Sequence, residues 1–156
     1  MTDEAQNPPF DAASFLARVQ AYEQRAVALL SGNKASLFAA FAAAGITCVT
    51  VNFDGCGDSG QIEGIEVRAG DTFAKLPDTQ VEIARTDFFH DEVSRSAEPL
   101  REAIESVCYL ILEAKHGGWE NNEGAYGEFV FDVAADTITL DFNYRIETTD
   151  NHTHEF

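Results

Sequence analysis

The sequence predicts an α+β fold: an antiparallel sheet of about five strands with helices packed on one face, in the order ααβββαββ. Three observations carry this. Apolar residues recur at three- and four-residue steps over residues 12–30 and again over residues 97–116, the signature of helices with one packed stripe. Segments between and after them alternate apolar with polar residues, the period of a strand with one buried face. Short links rich in glycine and acids join successive alternating segments, which suits hairpins rather than crossovers.

Residues 1–10 hold Pro8 and Pro9 among small polar residues and are expected to form a flexible arm, with Asp11 as the cap of the first helix. That helix is predicted from Ala12 to Leu30, with Phe15, Leu16, Val19, Tyr22 and Ala26 on its stripe. Ser31-Gly32-Asn33 reads as its end. A shorter helix over Lys34–Ala44 presents Leu37, Phe38 and Phe41 and stops at Gly45. Strands are expected over Ile46–Phe53 and Gln61–Val67, paired as a hairpin with a loop longer than a minimal turn, and over Thr79–Ala84. Residues 68–78 read as loop, and residues 87–96 as irregular and charged. A long helix over Ala97–His116 has Pro99 in its first turn and Leu100, Ile104, Val107 and Ile111 on its stripe. Gly117-Gly118 ends it, and strands over Tyr126–Val133 and Thr137–Ile146 form a last hairpin.

Composition bounds the function. A chain of 156 residues suits one domain, expected over residues 11–148 with a polar tail over 149–156. The 45% apolar content and 12 Phe exclude a disordered acidic chain. The net charge of −17 argues against direct nucleic-acid binding and against an anionic membrane surface. Residues 79–156 carry most of it, with 17 acidic against 5 basic side chains. Cys48, Cys56 and Cys108 have neither the number nor the spacing of a disulfide framework or a cysteine metal site. No stretch approaches 18 consecutive apolar residues, and the N-terminus lacks a signal pattern. The expectation is a soluble, cytoplasmic protein.

Two segments break the periodic pattern. Loop one, residues 54–60, crowds Asp54, Asp58 and Ser59 among three glycines. It is either a tight loop whose acids accept their own backbone amides, a cation site, or a contact surface. It does not fit the EF-hand template, which would need glycine at Ser59 and an acid at Ile65. Loop two, residues 117–128, holds Trp119, Glu120, Asn121, Asn122, Glu123 and Tyr126 on glycine hinges. Trp119 and Tyr126 either anchor a partner or, for Trp119, plug the end of the sheet. The histidine pair of the tail, His152 and His154, lacks a third ligand, and no residue has the setting of a catalytic nucleophile.

The segments VNFDGCGDSGQIEGI and HGGWENNEGAYGEFVFDVAADTITLDFN resemble an uncharacterised family of short acidic bacterial proteins that also occur on mobile elements. The resemblance implies that Gly57, Asp58, Ser59, Gly60, Trp119, Asn121, Asn122, Gly124, Tyr126 and Gly127 match recurrent positions of that family. It implies no activity.

Taken together, these features point to a non-catalytic acidic protein-binding module, an accessory or inhibitory protein that occupies a basic surface, mimicry of nucleic acid being one version. The expected contact residues are Asp54, Asp58, Ser59, Trp119, Glu120, Asn121, Asn122, Glu123, Tyr126, Asp132 and Asp141, the last two joined by Glu128 and Asn143 on an outward acidic face of the final hairpin. No cofactor is expected. The alternative is a small metal-dependent enzyme using Asp54, Asp58, Glu63 and Glu120 or Glu123, although neither loop holds a Lys or Arg to neutralise developing negative charge. The oligomeric state stays open, since the stripe at Phe15, Val19 and Tyr22 is also suited to packing on another chain.

Overall fold

The computed structural model describes residues 11–57, 59–89 and 92–156. In chain order the elements are α1 (Ala12–Ala43), β1 (Cys48–Cys56), β2 (Ser59–Ala69), β3 (Thr72–Phe73), β4 (Gln80–Thr86), β5 (Val93–Pro99), α2 (Leu100–His116), β6 (Ala125–Asp132) and β7 (Thr137–Tyr144). The arm expected at residues 1–10 lies outside the described residues. Every strand pairing is antiparallel, in a five-stranded sheet of order β3-β2-β1-β6-β7 and a separate pair β4-β5. The α+β class stands, with its parts rearranged.

The two helices expected before the first strand are one. Gly32 faces solvent, where a missing side chain costs only about 1 kcal/mol of helix propensity. Asn33 is 2% exposed and caps nothing. Its Nδ2 donates to the Ala84 carbonyl and its Oδ1 accepts from the Ala84 amide, both at 2.9 Å, so it serves β4 as a neighbouring strand would. A partner 51 residues away thus overrides a local stop signal. By length and composition α1 is apolar enough to cross a membrane. Its C-terminal half nevertheless belongs to the core, where Phe38 and Phe41 meet Phe131 at ring distances of 6.3 and 6.1 Å. Its first turns are open, with Phe15 and Leu16 45% and 58% exposed.

The third predicted strand forms as β4 but outside the main sheet, paired with β5. The segment expected to be irregular contains β5, whose residues other than the half-buried Glu98 are exposed, so that it shows no alternation. The fifth strand of the main sheet is instead the two-residue β3, inside the expected loop at residues 68–78. Pro99 ends β5 and caps α2 rather than lying within its first turn.

In the main sheet, alternation sorts the residues as expected. Val49, Val51 and Phe53 of β1 and Phe129 and Phe131 of β6 are buried on one face. α2 crosses that face: Tyr109 Oη accepts from the Ile62 amide on β2 at 3.1 Å, and His116 stacks on Phe142 of β7 at 3.6 Å. The β1–β2 register shifts between Asn52 and Phe53, leaving Glu63 as an extra residue. That bulge lets Ile62 and Ile65, three residues apart, both turn toward the core. The opposite face carries Thr50, Asn52, Asp54, Glu128 and Asp141, all exposed or half-exposed.

Candidate functional site

The hairpin loop expected at residues 54–60 is mostly strand. Asp54, Gly55 and Cys56 pair with Gln61, Gly60 and Ser59, so the turn is shorter than expected. Ser59 is an exposed ladder residue and not a loop hydroxyl. Asp58 lies outside the described residues.

Two glycines of this hairpin, Gly55 and Gly60, serve packing. Trp119 is 3% exposed and lies over the cross-strand pair Gly55 and Gly60, with Phe53 edge-on to its ring at 5.5 Å and 86°. A Cβ at Gly55 would come within 2.5 Å of Trp119 Cζ3, and one at Gly60 within 2.7 Å of Cζ2. Trp119 is therefore the plug of the sheet end; its burial removes it from the surface on which a partner could anchor.

The two loops share that end. Gly57 donates to the Asn122 carbonyl at 3.2 Å, and Gly124, at φ 80°, lies so close to Gly55 that any Cβ would overlap the Gly55 carbonyl. Asn121 accepts from the Gly124 amide at 3.0 Å, and Asn122 holds a left-handed φ of 60°. The side chains of Asn121, Asn122 and Glu123 are exposed. Gly127 works in the same way as the floor: Phe53 and Phe142, two strands apart, stack across it at 5.9 Å and 29°.

Outward from the rim, Arg145 gathers the polar groups. Its Nη2 donates to Asp54 Oδ2 at 2.8 Å, Nη1 to the carbonyls of Gly55 and Ala125 at 3.1 and 3.3 Å, and its guanidinium lies 4.8 Å from the Tyr126 ring centre. Hydrogen bonding to Asp54, followed by the attraction of the Asp54 carboxylate, raises its pKa further above the usual arginine value. Sequence reasoning misses Arg145. The available signal is its isolation, for it is the only Lys or Arg after Lys115.

Below this cluster the open face is acidic. Glu128 stands opposite Asp141 across β6–β7, beside Asn52 of β1. Asn143 Nδ2 donates to the Tyr126 carbonyl at 3.3 Å and to Asp141 Oδ1 at 3.4 Å. Asp132 accepts from the Ala135 amide at 3.1 Å and so also fastens the β6–β7 turn. Among the described residues, Glu128, Asp132 and Asp141 have no ion-pair partner.

Among the described residues, the acids expected to act together in catalysis are dispersed. Asp54 is held by Arg145, Glu63 accepts from Gln61 at 3.1 Å, and Glu120 turns toward α2. There Glu120 Oε2 is enclosed without a hydrogen-bond partner, and its charge, after burial, pushes the Glu113 carboxyl above its usual range. Among the described residues, no three His, Cys, Asp or Glu side chains converge to hold a metal ion. Cys108 is buried, and burial pushes its thiol well up. A cavity of about 460 Å³ lies elsewhere, between α1, β4 and α2, with Tyr22, Ile83, Arg85, Tyr109 and Glu113 among its walls. None of the described residues expected at the site lines it.

No curated protein and no solved structure matches this chain. Residues 29–156, from the middle of α1 through the plugged rim and the acidic hairpin to the C-terminus, match a family model, and the chain belongs to that family, the family of unknown function DUF6878.

Proposed function

We propose that this protein is a non-catalytic binding module whose acidic sheet face occupies a basic surface on another protein, as an accessory or inhibitory subunit. The observation that carries the reading is the direct opposition of Glu128 and Asp141 across β6–β7. Like charges directly opposite each other destabilise a sheet, so an arrangement that leaves them without a cation stores free energy that a basic partner recovers. Asp132 on the same hairpin and a net charge of −17 extend the field that would steer such a partner. Imitation of a nucleic-acid backbone is one version of this role. The reading places the protein in the bacterial cytoplasm, in line with three unpaired cysteines and with the resemblance described above. A metal-dependent enzyme gains less support, because Asp54 is neutralised by Arg145.

The test is affinity capture from native lysate at low and moderate salt, using the wild-type protein and the variant Glu128→Gln, Asp132→Asn, Asp141→Asn. The reading expects basic captured proteins that are lost in salt and in the variant, mainly through a lower association rate. Acidic captured proteins, or capture indifferent to both changes, would refute it.

A further inference from the structure

The two ends of the main sheet are protected unequally. At the β2 end, the bulge at Glu63 breaks the register, the Tyr109 hydroxyl takes the Ile62 amide at 3.1 Å, and β3 covers the far residues. The exposed strand β5 of the small sheet carries Arg95 and Glu98 and ends in Pro99. These are devices by which edge strands avoid adding further strands. β7 has only one of them, the charge of Asp141. Its eight residues pair with β6 from Asp132–Thr137 to Tyr144–Ala125 without a register shift, it contains no Pro or Lys, and no described strand lies beyond it. Its core side offers the half-exposed Ile138, Leu140 and Phe142. Its open side has a single charge, Asp141, with Glu128 on the next strand.

We infer that the free edge of β7 accepts an extended basic segment of the partner protein as an added strand. Main-chain hydrogen bonds would supply affinity irrespective of sequence, and the two faces would supply selection. Residues alternating along the incoming strand fall to opposite faces, so its basic side chains would lie over Asp141 and Glu128 and its apolar ones beside Ile138, Leu140 and Phe142. Charge decides between candidate occupants. A second copy would bring its own acidic edge and a further −17 against this one, whereas a basic segment removes the unpaired repulsion.

This inference rests on the binding-module reading, and the experiment separates the two. The probe is a fluorescein-labelled peptide of four Lys-Val repeats, together with two isomers N-methylated at alternate residues, one isomer for each edge of the strand. An added strand presents only one edge to β7. One isomer should therefore lose at least tenfold in affinity while the other stays within about twofold of the parent. If both isomers bind like the parent, yet Asp141→Asn and Glu128→Gln weaken binding, edge addition is wrong and the acidic module stands. If binding ignores those substitutions as well as salt, both fail. A dimer in sedimentation that is lost on Thr139→Pro would also overturn the inference, since the edge would then belong to a second copy.

Discussion

Removing the indole of Trp119 tests whether the sheet end is held by the fit of that ring into its glycine floor. The side chain is 3% exposed, and large buried aromatics replaced by Ala cost about 3–5 kcal/mol. Gly55 and Gly60 are ladder partners in β1–β2 and cannot rise to fill the void, which places Trp119→Ala toward the upper end, about 4–5 kcal/mol. In a domain of this size each kcal/mol lowers the Tm by about 2–4 °C, so the melting point should fall by about 8–20 °C. The reciprocal change is Gly60→Ala. Gly60 lacks a positive φ, so the cost is steric alone, about 1–3 kcal/mol of overpacking against the ring. In the Trp119→Ala background that methyl enters empty space, and the cost should vanish, a coupling of at least about 1 kcal/mol. Urea denaturation of the four proteins, followed by far-ultraviolet circular dichroism, measures the cycle. A Tm loss under about 3 °C for Trp119→Ala, or equal costs of Gly60→Ala in both backgrounds, would refute the reasoning.

Three further outcomes are expected. Asn33→Ala leaves the Ala84 amide and carbonyl without their side-chain partner and should cost about 2–4 kcal/mol in urea denaturation; a change below about 0.5 kcal/mol would show that the contact is dispensable. The Glu113 carboxyl has a folded pKa above its unfolded value, so the folded state binds its proton more tightly and stability contributed by this group is lost as pH rises through the folded pKa. Glu113→Gln should therefore raise the Tm near neutral pH and flatten the fall in stability above the usual carboxylate range, which thermal melts from about pH 4 to 8 would detect; an unchanged profile would count against it. The amides of Gly57, which donates to Asn122 across the two loops, and of Gly124, which donates to Asn121 within loop two, should exchange slowly in hydrogen-exchange measurements; an unprotected Gly57 would show that the two loops do not hold each other.

The parts legible in the sequence are those whose residues answer to one face at a time. Val49, Val51 and Phe53, then Phe129 and Phe131, alternate because one side is core and the other solvent, and the α2 stripe recurs because only one side packs. The parts that were not legible depend on partners far along the chain. Asn33 follows Gly32 like a helix end, yet its role is set by Ala84. β5 alternates nothing because all its residues but Glu98 are exposed. The glycines of residues 54–60 resemble a loop by composition, whereas Gly55 and Gly60 are small to admit an indole arriving from residue 119. Only the bulge left a local trace, in the three-residue step from Ile62 to Ile65. For the candidate site, the acidic hairpin followed from alternation, but its one organising cation, Arg145, acts through space on Asp54 and Tyr126.

The plugged sheet end also furnishes an optical reporter. Trp119 is the only tryptophan among 156 residues, so excitation at the red edge of protein absorbance addresses this one site without a label. Enclosed against Phe53 and two backbone glycines, the indole is shielded from water, which keeps the native emission at short wavelength until the rim opens. Its position over β1 and β2 leaves β6 between it and β7. A ligand that disturbs the rim would change the emission, whereas one seated along the far edge would leave it unaltered, so a single spectrum distinguishes the two places of contact.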